Sequence, residues 1–271
     1  MTANKQLQIS TDSYRLNYNV YGSGNQIFLA FHGFGQDASA FNIIANKLSE
    51  THMIISVDLF FHGNSYWPAG DTLSKKQWTE IVDRLLEANK VDRFSLLAFS
   101  MGGKFALSIA ESFAPKIDQL ILLAPDGIKT SMWYSLATYP YVFRSYFRSM
   151  IVKPKRFYNI LNLFKQLGVV DKGISKFALS QMNSKKKRRR VFYSWVTFKD
   201  FTFDMNMIAQ NINEHSINLI MILGKYDKII THKGMKRLLD KLPNHDAHII
   251  SSGHNDLIKN VAETPELIDK F

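Results

Sequence analysis

The chain has 271 residues, no cysteine and a formal net charge of +11, with 46% hydrophobic residues. That apolar content is ample for a sizeable core, so disorder is not the default, and the lack of cysteine excludes a disulfide framework or a thiolate metal site. "MTANKQLQIS" has no charged-then-apolar pattern and no apolar run is long enough to cross a bilayer, so the expectation is a soluble cytoplasmic protein.

In chain order, "RLNYNVYG" alternates as a half-exposed hairpin strand does. "IFLAFHG" and "MIISVDLF" are near-continuous apolar runs, as expected of parallel strands covered on both faces, with a helix predicted between them at Ala38–Glu50. A helix over Ser74–Asn89, the strand "FSLLAFS", a helix over Met101–Phe113 and the strand "LILLAP" follow. The alternation stops there and resumes at "LIMILG", a helix over Lys233–Leu242, "AHIISSGH" and a helix over Asn255–Glu263. Alternating strands and helices imply an α/β fold with a mostly parallel sheet, its first strands adding an antiparallel edge.

The gap, Ile128–Ile212, has its own composition. It holds 16 Lys/Arg against three acids, Asp171, Asp200 and Asp204, a net of about +13 that leaves about −2 for the rest of the chain. It also holds 17 of the 35 aromatic residues. We therefore predict a core formed by residues 1–127 and 213–271 and a helical insertion at 128–212. The only low-complexity stretch, "KKKRRR" at Lys185–Arg190, lies inside it and reads by itself as a solvated helix face.

The stretch "LLAFSMGGKFAL" carries the chemistry. A buried-strand pattern runs into Ser100 and resumes as a helix with almost no loop. So sharp a turn needs small residues two places either side of the pivot, here Ala98 and Gly102, and holds the pivot side chain exposed at its tip. Ser100 as a plain helix cap is the alternative, but a cap needs neither the small neighbours nor the preceding core strand. Ser100 is therefore the candidate nucleophile.

A serine hydroxyl needs a base, and the base needs an orienting acid. "LIMILGKYDKII" offers Asp227 and "HIISSGHNDL" offers His254, 27 residues later, each directly after a strand. With the A-x-S-x-G turn, these settings resemble the α/β-hydrolase superfamily over nearly all of the chain outside the insertion. The resemblance implies an eight-stranded, mostly parallel sheet with helices on both faces and a helical lid inserted between the sixth and seventh strands. It makes Asp227 the acid and His254 the base. Asp126 in "LLAPDG" is the rival acid, since some members carry it after the earlier strand; it could instead cap the start of the insertion. Gly224 and the spacing to His254 favour Asp227.

The oxyanion donors would be the backbone N–H of Met101, at a helix N-terminus, and by resemblance that of Phe34 in "AFHGFGQD". His32 reads as structural. "VDLFFHGNS" resembles the family's D-x-x-G-x-G-x-S loop but departs from it at Phe61 and His62; Asp58 and His62 are taken as structural. His245 and His248 beside Asp246 lack metal-ligand spacing, and "YGSGN" is a turn without the helix a phosphate loop needs. A serine pivot argues against the carboxylate-dependent dehalogenases and epoxide hydrolases of the superfamily.

The expectation is a serine hydrolase, free of cofactor and metal, for a small-molecule carboxylic ester or thioester with a hydrophobic acyl or aryl part. The same triad serving carbon–carbon hydrolysis or a lyase step is the alternative within enzymes, and a hydrolase-like ligand-binding protein the alternative outside them. The aromatic side chains of "MWYSLATYPYVFRSYF" could line an acyl or aryl pocket or form the lid's own core. The basic insertion would attract an anionic partner: an acidic acyl carrier protein, a coenzyme A moiety or an anionic membrane surface. Nucleic acid is not expected, because no recognition motif accompanies the charge.

Overall fold

The computed structural model describes residues 5–129, 132–168 and 170–271, apart from the side chains of Met132, Trp133 and Leu136. Eight strands form one sheet: β1 (Lys5–Ser10), β2 (Arg15–Tyr21), β3 (Gln26–Phe31), β4 (His52–Val57), β5 (Phe94–Phe99), β6 (Ile117–Leu123), β7 (Asn218–Gly224) and β8 (Asp246–Ile250). Their spatial order is β1-β2-β4-β3-β5-β6-β7-β8. The β1–β2 and β2–β4 pairs are antiparallel and the remaining five are parallel. The expected antiparallel edge and parallel body are both present.

The central strands are apolar on both faces because helices cover both. Leu96, Leu97 and Ala98 of β5 and Leu120–Leu123 of β6 are fully buried. Each leucine so buried contributes roughly 1.5–3 kcal/mol relative to exposure.

Along the chain, α1 (Asn42–Leu48) follows a short 3-10 turn at Ala38–Phe41, and α2 (Lys75–Asn89) and α3 (Gly102–Ser112) come next. The α2 start was legible as Ser74. Its hydroxyl caps the Gln77 N–H while the Gln77 side chain returns to the Ser74 N–H, a reciprocal box that satisfies two orphan donors. Five helices then follow, α4 (Met132–Thr138), α5 (Tyr141–Ser149), α6 (Lys155–Gln166), α7 (Lys172–Met182) and α8 (Lys185–Thr197). The chain ends with α9 (Met205–Glu214), α10 (His232–Leu239), α11 (Leu257–Ala262) and α12 (Pro265–Ile268).

These elements form two compact units. The sheet unit takes residues up to Pro68, Ser74–Lys129 and Phe201–Phe271; the helical unit takes Ala69–Leu73 and Thr130–Asp200. The division differs from the sequence-based boundaries at both ends of the insertion. Helix α9 belongs with the sheet: Asn211 Nδ2 donates to Ala110 O at 3.1 Å, and Phe201, just before the helix, packs at a tilt against Phe105 with ring centroids 5.0 Å apart. Ala69–Leu73 joins the helices because Leu73 N donates to Thr197 O and Thr197 Oγ1 donates to Asp71 O, both at 2.9 Å. The helical unit carries 15 Lys/Arg against Asp71, Asp171 and Asp200, so it holds the charge excess.

Candidate active site

Ser100 stands between β5 and α3 with φ 51°, in the left-handed region that favours glycine. A non-glycine residue there costs of order 1–3 kcal/mol and persists only when its surroundings hold it. They do: Ser100 N donates to Leu123 O at 3.0 Å, and Ser100 O accepts from Gly103 N at 2.9 Å and Asp126 N at 2.8 Å. The small neighbours are required by contact. A Cβ on Gly102 would lie 1.9 Å from Phe31 O, and one on Gly103 would lie 2.6 Å from the Pro125 Cβ. Gly102→Ala is therefore expected to destabilise the fold by about 3 kcal/mol or more, since backbone of β3 cannot yield as a side chain can. Equilibrium urea unfolding checks this, and a loss below about 1 kcal/mol would contradict it.

The turn after β8 brings His254 to Ser100, and the turn after β7 brings Asp227 to His254. His254 Nε2 lies 2.9 Å from Ser100 Oγ, and His254 Nδ1 lies 2.6 Å from Asp227 Oδ2. With Nδ1 donating to the carboxylate, Nε2 is left to accept the serine proton. Asp227 is buried and its Oδ1 accepts from the N–H groups of Ile229 and Ile230 at 2.8 and 2.9 Å. The carboxylate is thus anchored at one oxygen and presents the other to the ring. Gly224 keeps the β7 turn close to β8, because a Cβ there would lie 2.6 Å from Ser252 O. The Phe99 ring packs against the imidazole with centroids 4.9 Å apart.

Asp126 faces elsewhere. Its Oδ2 lies 3.2 Å from Lys104 Nζ, and its Oδ1 accepts from Gly127 N at 2.8 Å. Lys104, the partner of Asp126, is buried in α3; its signal in the sequence was the lone charge within "GGKFALSIA".

Met101 is the first residue past the pivot, at the N-cap of α3. Phe34 lies in the tight turn after β3, where Gly33 N donates to Gln36 Oε1 at 2.9 Å and Gly35 has φ 87°. A Cβ on Gly33 would lie 2.7 Å from the Phe99 ring, so this turn sits against the strand end that precedes Ser100. Gln36, which shapes the turn, was also missed. All of these residues follow the C-terminal ends of parallel strands (β3, β5, β7 and β8), the edge at which open α/β sheets place their sites.

The residues read as structural have structural partners. Fully buried His32 accepts from Leu59 N through Nε2 at 3.0 Å, with Nδ1 2.7 Å from Gly33 O. Asp58 accepts from Ala38 N at 2.7 Å and Asn64 N at 2.8 Å, and His62 Nδ1 lies 3.0 Å from Phe60 O. Phe61, the departure from the glycine pattern, has φ 67°, which is why glycine suits that place. Asp246 pairs with Lys270, 2.6 Å away, and His248, 2.7 Å away. The Lys270 ammonium, acting against partial burial, and then the His248 ring hold its carboxyl below the usual range. Among the described residues no group of three or more His, Cys, Asp or Glu is placed to hold a metal, and no helix is long and apolar enough to cross a membrane.

Comparison with known proteins agrees with this architecture. A Mycobacterium tuberculosis protein named only as uncharacterized is 30% identical over 129 residues, which are 47% of this chain and 37% of that relative's length. The pimeloyl-[acyl-carrier protein] methyl ester esterase of Legionella pneumophila is 25% identical over 251 residues, covering 88% of this chain and 93% of its own. Among solved structures, a bacterial membrane phospholipase A superposes with a TM-score of 0.69 at 18% identity, covering 98% of this chain and 86% of that one. The description of the alpha/beta hydrolase fold matches residues 26–261, from β3 into α11 and across every turn that supplies the site. With that match over most of its length, the chain belongs to the alpha/beta hydrolase fold family.

Proposed function

We propose that this chain is a cofactor-free serine hydrolase of carboxylic esters or thioesters with a hydrophobic acyl or aryl part. The observation that carries the reading is the unbroken relay from Asp227 through His254 to Ser100, at 2.6 and 2.9 Å. Ser100 Oγ attacks the carbonyl carbon as its proton passes to His254 Nε2, and Asp227 stabilises the imidazolium that forms. The N–H groups of Met101 and Phe34 receive the developing oxyanion, aided by the positive end of the α3 dipole. His254 then returns the proton to the leaving alcohol or thiol. A water deprotonated by the same ring releases the acid from Ser100.

An ester as substrate is supported by the Legionella relative, which is named for a methyl ester and aligns over most of both chains. The test is a series of p-nitrophenyl esters of increasing acyl length. kcat/KM is expected to rise roughly two- to fourfold per added methylene until the acyl site is filled. No turnover of any member would contradict the reading.

His254 supplies the base and backbone N–H groups the oxyanion stabilisation, so no step calls on a metal. Exhaustive chelation is expected to leave turnover within about twofold of the untreated protein. Loss on chelation with recovery on adding Zn²⁺ would contradict that.

A further inference from the structure

The basic run of the helical unit is placed against its own helix. Ser184 caps α8 through the Lys187 N–H, so Lys185, Lys186 and Lys187 occupy the first turn, where the dipole disfavours cations. Lys185 and Arg189 are also a like-charged i,i+4 pair, as are Lys186 and Arg190. Some of the run is tied to backbone: Lys187 Nζ donates to Ser180 O at 2.8 Å, and Arg188 donates to Ile151 O and Met182 O, each at 3.0 Å. Lys185 and Arg189 turn instead into an open concavity of about 210 Å³ lined by Arg148, Ile151, Val152, Lys185, Arg189 and Tyr193. Among the described residues no carboxylate lies within 4.0 Å of Arg148, Lys185 or Arg189. Three cations therefore line one hollow together with Ile151, Val152 and Tyr193, and among the described residues no carboxylate lines it.

The surface beside that hollow is apolar where a free-standing helix should be polar. Helix α5, which contributes Arg148, buries only Phe147. It leaves Tyr141 75%, Val142 73%, Phe143 50% and Tyr146 41% exposed, and Val152 on the hollow's rim is 69% exposed. The aromatic rings alternate with cations: Arg144 lies 5.8 Å from the Tyr141 ring centre and Arg156 5.1 Å from that of Tyr146. From Thr130 to Val170 there is no acidic residue. Aromatic and aliphatic side chains mixed with Arg and Lys, without acids, match the boundary between phospholipid headgroups and acyl chains.

We propose that α5 and the hollow it shares with the start of α8 form a docking site for an anionic phospholipid surface. Arg148, Lys185 and Arg189 take a headgroup phosphate, and Tyr141, Val142 and Phe143 enter the headgroup layer. An arginine fork suits phosphate oxygens, and the attraction falls away within a Debye length. An anionic bilayer is favoured over a small acidic protein because exposed apolar side chains, Tyr141, Val142, Phe143 and Val152, lie among the cations, and Leu163 on α6 is exposed as well. The inference does not rest on the proposed catalysis, since binding is read without turnover.

The test is flotation of the full chain with vesicles of phosphatidylcholine alone or with phosphatidylglycerol added. The parent is expected to float with anionic vesicles only, and less so as salt rises. Arg148→Gln/Lys185→Gln/Arg189→Gln should weaken flotation roughly 100-fold, about fivefold per cation. Tyr141→Ser/Val142→Ser/Phe143→Ser, which keeps every cation, should weaken it at least about tenfold. Circular dichroism confirms that each variant is folded. Equal flotation with neutral vesicles, or a triple-Gln variant that floats like the parent, overturns the proposal. So does a parent that ignores vesicles but binds inorganic phosphate or an acidic carrier protein.

Discussion

Replacing Ser100 by Ala is expected to lower ester turnover by about 10⁴- to 10⁶-fold, and His254→Ala by a similar factor. The two losses should not add. His254 Nε2 lies 2.9 Å from Ser100 Oγ, and in the proposed mechanism every step of His254 serves the acyl chemistry on Ser100, so the double variant should resemble either single one. What survives should be the part due to binding and to the backbone donors, which neither substitution removes. Ser100→Ala removes a hydroxyl at a turn tip and should keep the parent's unfolding midpoint, whereas His254→Ala leaves the buried Asp227 Oδ2 without its partner and should lower the midpoint. Steady-state kinetics on one reactive ester measure all three variants. Turnover persisting in Ser100→Ala at more than about a hundredth of the parent's would remove Ser100 from the chemistry.

The two candidate acids separate just as sharply. Asp227→Asn keeps the shape but offers an amide to a ring that needs an acceptor at Nδ1, and it should cost about 10⁴-fold in kcat. Asp126→Asn should change kcat less than about tenfold, because that carboxylate faces Lys104 at 3.2 Å and not His254. Its effect should fall on stability instead. The half-buried carboxylate partly offsets the charge of a buried ammonium, and its loss is expected to cost about 1–2 kcal/mol once solvent screening at Asp126 is allowed for. Kinetics and urea unfolding of the same two variants distinguish the outcomes, and the reverse ranking in kcat would make Asp126 the acid.

Much of the fold was legible because its signals are local. Strands β3 to β7 are runs of apolar residues that only a sheet covered on both faces can use, and Ser74 with Gln77 announces α2 within four residues. The sharp strand-to-helix turn at Ser100 was legible for the same reason. Gly102 is small because the turn brings α3 against Phe31 O, and that demand is written two places from the pivot. The boundary of the insertion was not local. Met205, Ile208, Ala209 and Ile212 recur at the same helical spacing as in any buried helix. Contacts distant in sequence, such as the bond from Asn211 to Ala110, 101 residues away, assign α9 to the sheet unit. Ala69–Leu73 is likewise drawn to the helices by Thr197, 126 residues beyond Asp71. Gln36 and Lys104 escaped notice because a glutamine in a turn and a lysine in a helix are ordinary until their partners are seen. Phe61 at φ 67° shows the converse, a visible departure from the glycine pattern that the fold tolerates.

The central claim, that Ser100 is a nucleophile activated by His254, is tested most directly by covalent capture with a fluorophosphonate followed by peptide mass mapping. One adduct is expected, on Ser100, absent in Ser100→Ala and formed at least about 10³-fold more slowly in His254→Ala, because the weak hydroxyl would have lost its base. An adduct on another residue, or labelling of Ser100 at the same rate with and without His254, would contradict it.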